Sequence, residues 1–67
     1  MRFYTFDEVT ELFQIHDKKL RTLVANNQIP FIRIGKEYRF LEDDLKQWFT
    51  DNRYKTVEIT YGKKQAG

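Results

Sequence analysis

QIHDKKLRTLVANNQIP, residues 14–30, is the segment from which the architecture can be read. Gln14-Ile15-His16 carries no periodicity. At Asp17 a helical pattern opens on an acid, which suits the positive end of a helix. Leu20, Leu23 and Val24 then recur at helical spacing as one apolar stripe, while Asp17, Lys18, Lys19, Arg21, Thr22 and Ala25 take the other faces. Asn26-Asn27 supplies a residue that tolerates left-handed geometry where the helix must stop. Pro30 marks that stop, because it pushes Ile29 toward an extended conformation. The segment therefore predicts a short turn followed by a helix with one apolar and one basic side.

Upstream, Thr5-Phe6-Asp7-Glu8 has the spacing of a capping box, with Tyr4 and Val9 placed as a hydrophobic staple across it. Val9, Leu12 and Phe13 continue at helical spacing, so the first helix is expected from Phe6 to Phe13 or Gln14. About three residues then separate two helices, a helix-turn-helix length. Downstream of Pro30 the period changes to two. Ile32 and Ile34 alternate with Arg33, Gly35-Lys36 has turn character, and Tyr38 and Phe40 alternate with Arg39. This predicts a β-hairpin with Lys36 at its tip and basic residues on its outer side. Glu42-Asp43-Asp44 places three acids in the first turn of a third helix. Leu41, Leu45, Trp48 and Phe49 give that helix an apolar stripe that closes the core.

The fold class expected from this order is α+β and mainly helical: a winged helix-turn-helix with a small antiparallel β-hairpin wing and a closing C-terminal helix. Residues 1–53 would form that domain. Residues 54–67 read first as strand-forming, with Val57, Ile59 and Tyr61 on one side, and then as a flexible basic end. The strand-like part is expected to join the hairpin, to pair with a second copy, or to stay mobile.

Composition narrows the function. The 67 residues contain no serine, no cysteine and a single histidine, His16. The commonest nucleophiles and a Cys/His metal site are thus excluded, no glycine-rich phosphate loop is present, and neither an enzyme nor a cofactor is expected. No run approaches the roughly 20 apolar residues of a membrane span, and the absence of disulfides fits a cytoplasmic protein. The net charge of +2 conceals a strong polarity along the chain. Residues 1–17 carry −3, residues 18–39 carry +5, residues 40–51 carry −3 and residues 52–67 carry +3. A basic centre between acidic flanks gives one face suited to a polyanion.

The chain also resembles the excisionase-type, MerR-like helix-turn-helix proteins from about Tyr4 to Phe49. The residues that carry the resemblance are Tyr4-Thr5-Phe6-Asp7-Glu8-Val9, Leu12-Phe13, Asn27-Gln28-Ile29-Pro30, the wing Ile32 to Phe40, and Asp44-Leu45 with Trp48-Phe49. Three positions depart from that pattern. Gln14 stands where a turn glycine is usual, His16 where a serine cap is usual, and Leu41 at another capping position.

The resemblance implies binding of double-stranded DNA, with the second helix in the major groove and the wing against the backbone or minor groove. The expected contacts are Lys18, Lys19, Arg21 and Thr22 from the helix and Arg33, Lys36 and Arg39 from the wing. His16 is read as a turn or cap residue, and Trp48 with Phe49 as core. A small phage or mobile-element excisionase, working with an integrase or recombinase, is the first expectation. A small transcriptional regulator or an assembly module like that of a terminase small subunit is the alternative. Self-association through residues 54–61, or cooperatively on DNA, is a further expectation.

Overall fold

A computed structural model describes residues 2–59. In chain order it contains β1 (Phe3–Thr5), α1 (Phe6–Phe13), α2 (Asp17–Ala25), β2 (Ile32–Ile34), β3 (Glu37–Leu41) and α3 (Glu42–Asn52). The helix-turn-helix, the hairpin and the closing helix stand where the periodicity places them.

Local chemistry sets the boundaries of α1. The Thr5 hydroxyl accepts from the Glu8 amide at 3.1 Å and the Glu8 carboxylate accepts from the Thr5 amide at 2.8 Å, so the capping box is complete. At the other end, the amide of Gln14 donates to Glu11 and that of Ile15 to Thr10. These are the two bonds of a Schellman motif. α2 ends in the same way, Asn27 donating to Val24 and Gln28 to Leu23. The residue that turns the chain lies in the left-handed region in both cases, Gln14 at φ 55° and Asn27 at φ 55°. Asparagine tolerates that region, whereas glutamine does not favour it.

The departure at Gln14 therefore has a measurable consequence. Gln14→Gly removes the Cβ strain but enlarges the freedom of the unfolded chain. A net gain of roughly 0.5–1 kcal/mol is expected, and thermal melting should register it as a rise of several degrees.

The other two departures are structural as well. His16 and Leu41 are the N-caps of α2 and α3, and neither makes a side-chain cap bond. The His16 Nδ1 instead lies 3.3 Å from Asp17 Oδ1.

Val9, Leu20, Leu23, Val24, Ile29, Phe40 and Leu45 form the buried core, with one or more contributions from each helix and from β3. Phe13 stacks on Trp48 with ring centroids 5.9 Å apart, and the Trp48 indole donates to the Gln28 carbonyl at 2.7 Å. α3 thus clamps both the end of α1 and the loop after α2. Phe49 packs its ring against Phe13 at 4.8 Å yet stays half exposed, as does Leu12.

The sheet has three antiparallel strands in the order β1-β3-β2. β1 has no counterpart in the periodicity of the sequence: three residues ahead of a helix are too few to show a period. Phe3, Tyr4 and Thr5 pair with Leu41, Phe40 and Arg39. The Glu42 amide donates to the Arg2 carbonyl at 2.8 Å, and the Tyr4 hydroxyl donates to the Glu42 carboxylate at 3.0 Å. That hydrogen bond, followed by partial burial and the Glu42 charge, raises the Tyr4 pKa above the usual phenol value.

The register corrects the expected faces of the hairpin. Arg33 is opposite Tyr38, while Ile32 is opposite Arg39 and Ile34 opposite Glu37. Directly paired residues share a face, so Arg33 lies on the side of Tyr38 and buried Phe40. Ile32 and Ile34 lie on the other side and are exposed. The basic residues therefore do not share one outer face; Arg33 and Arg39 occupy opposite faces.

The segment after α3 is also corrected within the described residues. Residues 54–59 form no strand. Val57 and Ile59 instead pack against the core, and the Glu58 carbonyl accepts from the Gln28 side-chain amide at 2.6 Å. The backbone partner that a strand needs is replaced by side-chain burial. The rest of the expected strand and the basic end, residues 60–67, lie outside the described residues.

Candidate nucleic-acid interface

The buried side of α2 is Leu20, Leu23 and Val24, and it fixes where the other residues stand. At 3.6 residues per turn, about 100° per residue, Lys18 and Thr22 fall opposite that stripe. The Thr22 hydroxyl donates back to the Lys18 carbonyl at 2.9 Å, which orients it along the helix. Arg21 lies on one flank and donates to Asp17 at 3.2 Å, one turn earlier, with both side chains more than half exposed. Such an exposed pair is weak, so the guanidinium can leave Asp17 for a stronger anion.

Lys19 lies on the opposite flank. It borders a groove shared with Ile15, Leu23, Trp48 and Lys55. Lys18 and Thr22 are therefore together on the outward face, while Lys19 and Arg21 bracket it.

The hairpin presents its cations differently. Gly35 at φ 62° takes the first turn position, which a two-residue hairpin loop reserves for a residue free to adopt positive φ. A Cβ there would meet nothing within 4 Å, so backbone conformation and not space demands the glycine. Lys36 follows at the exposed tip. Arg33 donates to the Gly35 carbonyl at 3.1 Å, and its guanidinium lies 5.4 Å from the centre of the Tyr38 ring. Arg39 is the most enclosed of the wing cations, with a side chain 34% exposed. It donates to the Tyr38 carbonyl at 2.8 Å and approaches Glu37 at 3.4 Å. Three wing positions thus offer three degrees of availability, greatest at Lys36 and least at Arg39.

One further cation stands beside α2. Arg53 and Lys55 both follow α3, and Lys55 lines the groove that Lys19 borders. The sequence marks both only as basic residues near a helix end; the approach of Lys55 to α2 goes with the docking of Val57 and Ile59 in the same groove, which no local pattern encodes. Among the described residues no group of three or more His, Cys, Asp or Glu side chains is arranged to hold a metal ion. No helix among them is long and apolar enough to cross a membrane.

A family model described as a helix-turn-helix domain matches residues 3–53. No curated protein and no solved structure matches the chain.

Proposed function

We propose, from the premise that the chain belongs to the helix-turn-helix domain family, that it binds specific sites on double-stranded DNA through α2 and the hairpin. The observation that carries this reading is the construction of α2. One side is fully committed to the core, and the remaining surface carries Lys18 and Thr22 on its outward face with Lys19 and Arg21 on the two flanks. The major groove is about 12 Å wide, admits one helix and presents a readable pattern of donors and acceptors. In this reading Lys18, Arg21 and Thr22 address base edges and neighbouring phosphates, and Lys19 holds phosphate from its flank. Arg33, Lys36 and Arg39 extend the contact along the backbone or into the minor groove.

The role assigned within that function is an excisionase, an architectural factor that helps an integrase assemble on DNA. Its support is the resemblance of Tyr4–Phe49. A single module of this kind covers roughly 600–1,000 Å² of protein surface. Repeated sites occupied by several copies supply the specificity that one copy lacks.

Titration of a labelled duplex carrying the sites, across a salt series, tests the binding function. With about four to six phosphates neutralised, the log–log slope is expected near −4 to −5. A flat response would overturn it. Genes beside the coding sequence test the role: an adjacent recombinase supports excision, whereas a divergent promoter supports transcriptional regulation.

A further inference from the structure

We infer that the turn Arg53-Tyr54-Lys55 is a third phosphate-contact element, set beside α2 on the side opposite Arg21. This rests on the DNA-binding reading above and extends it to a part of the chain outside the helix-turn-helix and the hairpin.

Three independent features converge on this turn. The first is backbone geometry. The Lys55 amide donates to the Asn52 carbonyl at 3.1 Å, closing a four-residue turn. Arg53 sits at φ −61°, ψ 135° and Tyr54 at φ 67°. That is a type II turn, whose third position is normally glycine because it requires positive φ. A bulky aromatic residue there is unfavourable. Among the described residues nothing rewards it: the side chain is 99% exposed, and its ring meets no other ring. Strained residues of this kind concentrate where a ligand is met, and a tyrosine hydroxyl is one of the ordinary donors to DNA phosphate.

The second feature is position. Lys55 and Lys19 border the same groove, and among the described residues neither is ion-paired. The acid next to the turn, Asp51, accepts from the Gln47 side chain at 2.9 Å and so faces along α3. Lys19 lies on the flank of α2, where a helix in the major groove meets phosphate and not base edges. A second lysine on that flank continues the same row of charge.

The third is anchoring. Val57 and Ile59 are packed against the core and Gln28 holds the Glu58 carbonyl. The turn is thus tied at both ends, by α3 before it and by these contacts after it, so its cations are presented and not merely tethered.

The test uses the full chain and a labelled duplex of about 25 base pairs carrying its sites, by anisotropy over a salt series. Lys55→Gln is expected to weaken binding roughly three- to tenfold and to reduce the slope by about 0.9. Lys46→Gln, which removes the same charge from an exposed position of α3, is expected to leave both nearly unchanged. Tyr54→Gly relieves the positive φ, so it should raise the melting temperature and yet lower affinity; a purely structural turn would gain stability with binding intact.

If Lys19→Gln weakens binding but Lys55→Gln and Tyr54→Gly do not, the inference is overturned and the role of α2 stands. Equal losses from Lys55→Gln and Lys46→Gln would reduce the effect to net charge and overturn it also. If the unaltered protein shows no salt-dependent binding, the DNA reading and this extension fall together.

Discussion

Phe40→Ala is expected to unfold the protein at ambient temperature or leave it close to its transition. Phe40 is fully buried, pairs with Tyr4 across the β1–β3 ladder and lies 6.5 Å from the Phe6 ring. Removal of such a ring from a core costs about 3–5 kcal/mol, part of it for the cavity left behind. A chain of 67 residues has roughly 3–10 kcal/mol in total at typical stability per residue. No disulfide can compensate, since the chain has no cysteine. Circular dichroism during urea titration measures the effect; a loss below 1 kcal/mol would show that Phe40 is not at the centre of the core.

The second large effect is on binding. The triple variant Lys19→Ala, Arg21→Ala, Arg33→Ala is expected to lose about a hundred- to a thousandfold in affinity for duplex DNA, and to flatten the salt slope by about 3. Its stability should change little, because all three side chains are exposed and surface substitutions usually stay within about 0.5 kcal/mol each. Arg33 is the most costly of the three because its guanidinium sits near the Tyr38 ring, a contact worth roughly 0.5–1 kcal/mol when exposed. Undiminished binding by a folded triple variant would remove α2 and the wing from the interface.

Elements with a long period and a capping signal could be read directly from the residues. The box at Thr5 and Glu8, the acid at Asp17 and the acids at Glu42-Asp43-Asp44 each declare a boundary by local chemistry, and α1, α2 and α3 begin there. The hairpin was legible as a hairpin but not as to its faces. Alternation assigns Ile32 and Ile34 to the inside because they are apolar; the turn at Gly35-Lys36 fixes the pairing that puts them outside. Register is a property of two strands, whereas an alternation in hydropathy is a property of one.

The same limit applies to β1, whose existence depends on β3. It applies also to residues 54–59, whose strand-forming residues join no ladder and dock Val57 and Ile59 by their side chains instead. The candidate contacts Lys18, Lys19, Arg21 and Thr22 were nameable because a helical stripe defines its own opposite face. Lys55 was not, because its neighbour Lys19 is distant in sequence.

The pairing of β1 with β3 also dictates when this protein can fold during synthesis. Tyr4 and Glu42 are 38 positions apart, so the first strand leaves the ribosome long before its partner. Until Phe40 and Leu45 emerge, Val9 and Leu20 have no core to enter, and the nascent α1–α2 pair has no closing helix to brace it. Helix formation can flicker early, but the ladder and the core must wait for β3 and α3 and then close together in one cooperative step.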